Sequence, residues 1–489
     1  MHVVKAARSA TAGWSVASVL LALALVLFSG FARAQANPTQ GPGGPVLVLT
    51  SSSAPAPNFG TFYAEILRAE GINAFAVADV STVTSTTLAP YDVVILARTP
   101  LTPTEATTLS AWVDAGGKLI AMDPDPQLAT LLGIAPAGGT LQDGYLRIAT
   151  GTAVGSAIAG ETLQFHGTAR TFALSGASSL ATLYSSAATA TAFSAITLRN
   201  VGTNGGQAAA YAFDLATSIV YTRQGNPAWA SQERDGNAPI RSNDKFYGAS
   251  VSDPRPDYVD LNRLGIPQAD EQQRFFAKLV TELSLGRRPL PRFWYFPHQN
   301  RAAVVLTGDD HGVSGSLLKG KFDQLIAASP PGCSVADWEC LRATTYVSTI
   351  PNFQFSFGET TLTNAEAQAY QAQGFEIAAH LNTNCSDFTA SSLRNLVPGQ
   401  LTAFANKFPS IAAPATNRYH CIVWSDWASG AKVARENGIR LDTNYYLWPP
   451  NWVQGTPTLR KSCSARSRYS FSSPAYWGVR PHLLATFTT

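Results

Sequence analysis

Four short stretches in the last third of this chain put side chains that bind metals or move protons at the ends of apolar runs. Ala302-Ala-Val-Val-Leu-Thr-Gly-Asp-Asp-His-Gly312 delivers two adjacent carboxylates, Asp309 and Asp310, and then His311. Neighbouring carboxylates repel and are costly to hold together unless a cation or a proton is shared between them. Gly374-Phe-Glu-Ile-Ala-Ala-His-Leu-Asn-Thr-Asn384 is again a short apolar strand ending in a potential ligand, His380. Asn384, four residues on, shares its face if the chain turns helical there. Asn417-Arg-Tyr-His-Cys-Ile-Val-Trp424 offers Arg418 and His420, and Gly438-Ile-Arg-Leu-Asp-Thr-Asn-Tyr-Tyr446 closes on Asp442 before Leu447-Trp-Pro-Pro450. Taken singly, each has an ordinary structural explanation: a capped turn, a core histidine, a surface arginine, an aromatic lid. Their order along the chain is the informative feature.

That order resembles the polysaccharide deacetylase family (carbohydrate esterase family 4), a distorted (β/α) barrel with a divalent-metal site. The resemblance runs from about Arg301 to Pro450, a third of the chain. Thr307-Gly-Asp-Asp310 is similar to the family's Thr-Phe-Asp-Asp-Gly motif, which implies Asp309 as general base and Asp310 as metal ligand. His380-Leu-Asn-Thr-Asn384 falls where the family has His-Ser/Thr-x-x-His, implying His380 as a second ligand. Arg418 matches the arginine that orients the base, and Asp442 the acid of the fourth motif. The implied cofactor is a divalent metal ion, zinc or a harder first-row ion, and the implied substrate is a carbohydrate or cell-envelope glycan carrying acyl groups on amide or ester bonds.

Three positions depart from the family pattern. His311 stands in place of the usual glycine after the aspartate pair. Asn384 stands in place of the second ligand histidine, which leaves a weaker amide oxygen or a site completed by water, and either shifts the expected metal towards harder ions or lowers its affinity. The family's last motif, a histidine general acid, has no clear match: His482 is a poor candidate, and His420 and His311 are the possible substitutes. Two readings therefore stand side by side. One is an exported metal-dependent deacetylase-like hydrolase; the other is a non-catalytic carbohydrate-binding protein on a degenerate deacetylase scaffold.

The elements that must position these residues belong to a chain of 489 residues, long enough for several domains. Hydrophobic residues make up 45% and charged residues 14%, enough to build large cores and to exclude wholesale disorder. A formal charge of +3 with no basic stripe argues against a nucleic-acid partner. Lys5 and Arg8, the apolar run Val16 to Phe28 and Ala32-Arg33-Ala34 together read as a secretory signal peptide over 1–34. The run is shorter than the ~20 residues a membrane-spanning helix requires. Its removal takes away Lys5, Arg8 and Arg33 but no acid, leaving a formally neutral chain with no transmembrane segment, secreted or periplasmic.

An oxidising compartment permits cysteine pairing. Cys333 and Cys340 are spaced to close a small loop, a bridge between Cys385 and Cys421, each just beyond a candidate motif, would tie two such loops together, and Cys463 is left over. Connectivity stays open at this stage, and the spacings match no structural zinc site.

A Pro/Gly linker over 35–44 precedes an α/β alternation over 45–135. Strands are expected at 46–49, 74–77, 93–96 and 118–122, helices over 59–70 and after the Thr102-Pro-Thr-Glu105 cap. The segment resembles the class I glutamine amidotransferase-like (flavodoxin-like) fold without its catalytic cysteine, since residues 45–135 hold neither Cys nor His. Residues 136–225 read as a small β-rich domain, with His166 as a structural residue. A connector over 226–300 holds a helix at 268–285 and the aromatic cluster Arg292-Phe-Trp-Tyr-Phe-Pro297. The deacetylase-like domain is expected over 301–455. Residues 456–489 form a basic tail: 443–489 hold no Asp or Glu, which reads either as a frameshifted end or as a poorly ordered terminus. The fold class expected overall is α/β: a flavodoxin-like doubly wound domain, a β-rich insertion and a distorted (β/α) barrel.

Overall fold

In the computed structural model the described residues are 41–246, 257–263, 265–293, 305–309, 315–348 and 362–445. The signal peptide, the aromatic cluster beyond Phe293, Asp310, His311, His482 and the basic tail lie outside them.

The protein is α/β, with two separate sheets carrying its two large cores. The first sheet begins with four apolar strands: β1 (Val46–Thr50), β2 (Phe75–Asp79), β3 (Val93–Leu96) and β4 (Lys118–Met122). All four are parallel, and β3 is buried along its whole length, as expected for strands covered on both faces. Helices α1 (Phe62–Ala69) and α2 (Pro103–Asp114) connect them. The α2 start forms the expected capping box: Thr102 Oγ1 accepts the Glu105 N–H, and the Glu105 carboxylate accepts the Thr102 N–H at 2.8 Å.

Beyond β4 the chain leaves the sheet and returns. It forms β5 (Ile134–Gln142), β6 (Tyr145–Ile148), β7 (Leu163–Gln164), β8 (Thr168–Leu174), β9 (Ser178–Tyr184), β10 (Ala190–Val201) and β11 (Gly206–Tyr211). β11 lies parallel beside β4, and the nine-stranded order is β2-β1-β3-β4-β11-β10-β9-β6-β7. The first five positions reproduce the 2-1-3-4-5 order of flavodoxin-like sheets. β5 and β8 make a separate antiparallel pair.

A boundary at 135/136 therefore separates no cores, because β11 completes the parallel half of the sheet. Strands β8 and β9 escaped the sequence reading. So did helix α3 (Leu215–Gln224), whose N-cap Asp214 accepts from the Thr217 N–H and hydroxyl. The expected helix at 268–285 is α4 (Gln268–Ser284). It belongs to this same core rather than to a free connector, with Phe275, Phe276, Leu279 and Val280 buried there. His166 is buried and stacked on Tyr258 at 4.0 Å between ring centres, the structural role expected of it.

The second sheet is all parallel and strictly sequential: β12 (Thr307–Asp309), β13 (Thr344–Ser348), β14 (Glu376–Leu381), β15 (Thr416–Tyr419) and β16 (Leu441–Asp442). Sequential parallel order is that of a section of a (β/α) barrel. Its intervening helices are α5 (Gly315–Ala328), α6 (Asn364–Ala372), α7 (Ala390–Lys407) and α8 (Ser429–Glu436). Both anticipated disulfides are present, Cys333–Cys340 and Cys385–Cys421. No helix among the described residues is long and apolar enough to cross a membrane.

Residues 224–246 strap the two parts together. Gln224 Nε2 donates to the Trp427 carbonyl at 2.8 Å, the Tyr445 hydroxyl donates to the Gln224 carbonyl, and the Trp424 N–H donates to the Ile240 carbonyl at 2.9 Å. At the centre of this seam Lys245 is buried, with its ammonium 5.1 Å from the Tyr445 ring centre and 6.0 Å from that of Trp424. Burial pushes the Lys245 amine down to about 7, with Asp244 and Asp426 opposing the shift. A lysine depressed in the folded state binds fewer protons folded than unfolded between pH 7 and its ordinary value, so its cost fades as pH rises. Lys245→Met, which keeps length and removes the charge, is expected to raise stability by on the order of 2 kcal/mol at pH 6 and by less at pH 9. Denaturant midpoints of both proteins at the two pH values measure this, and an equal shift at both would refute it.

Candidate functional site

The site residues stand at the carboxyl ends of the second sheet because its register aligns them. Ser348 pairs with His380 and His380 with Arg418 across β13, β14 and β15. Asp309 pairs with Tyr346, which pairs with Ala378, two residues before His380. Side chains alternate along a strand, and register partners share a face, so Asp309, Tyr346, His380 and Arg418 all fall on one face.

On that face Arg418 is the hub. Its Nη1 lies 3.2 Å from Asp309 Oδ1, its Nη2 donates to Thr307 Oγ1 at 2.8 Å, and its Nε donates to Thr443 Oγ1 at 3.2 Å. The guanidinium also sits 5.2 Å from the ring centre of Tyr346, whose hydroxyl burial pushes up to about 12. His380 is buried, its Nδ1 3.9 Å from Asp309 Oδ1 and its Nε2 3.3 Å from His420 Nδ1. His420 follows β15, and its ring stands nearly perpendicular to that of His380, at 86°. The structure thus brings Asp309, His380, Arg418 and His420 together.

Asn384 is not on a helix with His380. The chain after His380 does not turn helical: Asn382 Oδ1 accepts the Asn384 N–H at 2.6 Å, and Asn384 and Cys385 take left-handed φ values of 58° and 52°. Helix begins only at Ala390, with Thr389 as its cap, and Asn384 is exposed. The four-residue spacing therefore confers no shared helical face, and Asn384 stands in a turn. His420, just beyond β15, places a second imidazole beside His380. Asp310 and His311 lie outside the described residues.

Asp442 is adjacent to the site but faces away from it. It pairs with Asn417, one residue off the face that carries Arg418. Its carboxylate accepts the Asn444 N–H at 2.8 Å and the Asn444 side-chain amide at 2.9 Å, while Asn444 Oδ1 accepts the Tyr419 N–H at 2.5 Å. Asp442 therefore acts through Asn444 to fix the backbone immediately before His420. Burial pushes its carboxyl up to about 6, against the opposing hydrogen bonds of Asn444 and Asn417.

Sequence reasoning missed Thr307, Thr443, Asn444 and the Asn382–Gln400 pair that anchors the loop after His380. Thr307 and Thr443 carried a signal in hindsight, since each lies two residues, or one, from a singled-out aspartate and alternation assigns them to the Arg418 face. Gln400 carried none, because it arrives from a helix.

No family model and no curated protein matches this chain. Among solved structures, a beta-galactosidase from Bacillus circulans sp. alkalophilus aligns at 14% identity and TM-score 0.29, over 36% of this chain and 30% of that one. A beta-galactosidase from Rahnella sp. R3 aligns at 19% identity and TM-score 0.31, over 51% and 33%. An exo-beta-1,4-mannosidase from an Opitutaceae bacterium aligns at 15% identity and TM-score 0.29, over 36% and 32%. The chain spans about a third of the length of each, and likenesses this slight assign no activity.

Removing Asn444 tests the support proposed for the site. A carboxyl raised in the folded state binds more protons folded than unfolded, so its stability contribution is whole near pH 4 and lost as pH climbs through about 6. Asn444→Ala withdraws hydrogen bonds from the ionised form and is expected to cost about 2–4 kcal/mol at pH 8 and less at pH 5. Urea unfolding at the two pH values reads the difference; an equal cost at both would sever Asn444 from the Asp442 charge.

Proposed function

We propose that the second sheet carries a metal-dependent hydrolase site that removes acyl groups from amide or ester bonds of a carbohydrate, as the resemblance to polysaccharide deacetylases implies. The observation that supports this most is the convergence of Asp309, His380, Arg418 and His420 on one face at the ends of β12, β14 and β15. The two disulfides suit an exported chain acting on an envelope glycan.

The donor set suits a divalent cation. Two imidazole nitrogens bound to one tetrahedral zinc at their usual bond lengths stand about 3.3 Å apart. His380 Nε2 and His420 Nδ1 are separated by 3.3 Å. Two imidazole nitrogens at that separation match the preferences of zinc and its first-row neighbours, with Asp309 nearest the other ring nitrogen of His380. In this reading His380 and His420 would hold the ion, and the resemblance adds Asp310. When bound, such an ion polarises the acyl carbonyl and lowers the pKa of a water molecule.

The remaining work falls to this chain's own side chains. Asp309 accepts from Arg418, and the same guanidinium is fixed by Thr307 and Thr443, so the carboxylate is held in one orientation. A carboxylate so held is suited to take the proton from an attacking water. Tyr346, with its hydroxyl pushed up to about 12, stays neutral under the guanidinium and adds an aromatic wall.

The test is metal content and deacetylation measured together on the disulfide-bonded chain. His380→Ala and His420→Ala are expected to lose both, whereas Asn384→Ala keeps both. Asp309→Asn is expected to keep metal and lower turnover about 100-fold or more. Metal retained in both histidine variants would overturn the ligand assignment. Stoichiometric metal with no release of acetate from any acetylated glycan would leave the carbohydrate-binding reading in its place.

A further inference from the structure

Cys385 and Cys421 are separated by 36 residues, and no short Cys-x-x-Cys spacing announces a metal site. The fold nevertheless places both sulfurs and a ring nitrogen of His420 within 4.8 Å of one another, all three residues half-buried. In this structure the sulfurs are joined, and a disulfide sulfur is a poor ligand because the thiolate is the metal-binding form. Before the bond closes, and whenever it is reduced, the same place holds two thiols beside an imidazole.

We propose that the thiol form of this chain binds a soft divalent cation of the zinc class on Cys385, Cys421 and His420, and that disulfide closure releases it. Two thiolates and an imidazole are donors zinc prefers, and three protein ligands leave a fourth position open. Two thiolates on one tetrahedral zinc sit about 3.8 Å apart. Side-chain rotation on Cα atoms 5.4 Å apart reaches that separation. His380, with Nε2 3.3 Å from His420 Nδ1, is a further donor at the same place.

The chemistry balances without any group beyond a thiol reductant. A dithiol delivers two electrons and two protons to the Cys385–Cys421 bond and leaves as its own disulfide, and the cation then displaces the two thiol protons to solvent. In the reverse direction a disulfide oxidant takes two electrons, the S–S bond reforms and the cation departs. His420 is common to both states: it faces His380 when the disulfide is closed and serves the sulfurs when it is open. The thiol site does not depend on the hydrolase reading.

Cobalt(II) titration of the full chain, once reduced with a phosphine and once with its disulfides intact, tests the proposal. The reduced chain is expected to take up cobalt with a sulfur-to-cobalt charge-transfer band that the disulfide form lacks. The Cys385→Ser/Cys421→Ser double variant, which retains Cys333, Cys340 and Cys463, is expected to lose that band. His420→Ala, and His420→Asn in case the first folds poorly, are expected to weaken binding by about tenfold or more. Oxidised glutathione added to the cobalt-loaded chain is expected to release the metal as the band decays. No band in the reduced chain, a band undiminished in the double cysteine variant, or parent-like affinity in a folded His420 variant would each overturn the thiol site. Failure of metal binding in the disulfide form alone would bear on the hydrolase reading instead.

Discussion

The second sheet is organised around one guanidinium. Arg418 reaches Thr307 and Asp309 on β12, lies over Tyr346 on β13 and meets Thr443 just beyond β16, so a single side chain from β15 ties together segments from across the sheet. A cation drawn partly out of water needs compensation from fixed acceptors, and here Thr307, Asp309 and Thr443 provide it. The converse matters as much. Asp309 stands near buried His380 rather than free in solvent because Arg418 opposes its charge. Replacing Arg418 by lysine would keep the charge but lose the fork that binds three acceptors in fixed directions.

The order of the motifs was legible in the sequence because each sits at the end of an apolar run, and strand ends in a parallel sheet gather at one edge. Apolar runs and turn residues also sufficed to mark β1, β3 and β4 and the Thr102 cap. What sequence could not supply was the identity of the neighbours across the sheet. His420 was one of several stray histidines until β15 was laid in register against β14, which set its ring 3.3 Å from His380. Asn384 failed for the opposite reason. Its spacing from His380 has meaning only on a helix, and the side chain of Asn382 bonds the backbone into a turn before a helix can begin.

The N-terminal part teaches the same lesson at larger scale. A boundary near residue 135 follows from the change in pattern, since apolar runs alternating with helices give way to short β-branched or alternating runs separated by Gly, Ser and Asn. The sheet is continuous across that change because β11, distant in sequence, pairs parallel with β4. Local pattern reports how a strand is covered, whereas membership in a sheet is a long-range fact. The absence of Cys and His from 45–135 remains a matter of composition and needs no structure to read.

A difference of one residue in register separates Asp442 from the chemistry it resembles. Arg418 and Thr443 lie on the site face, while Asn417 and Asp442 point to the other, so the carboxylate is spent on Asn444 and through it on the backbone ahead of His420. An acid on the site face would meet Arg418 directly and compete with Asp309 for it. Placed behind the strand, the same acid fixes where β15 ends without adding a second negative charge to the face. The carboxyl raised to about 6 is the energetic cost of that position, set mainly by burial. The same strand end then leads into the His420–Cys421 turn, where one bond between sulfurs joins the loop after His380 to the loop that carries His420. Two histidines from separate strands are thus held by separate means: His380 by its place in β14, and His420 by an anchored strand end on one side and a cross-link on the other.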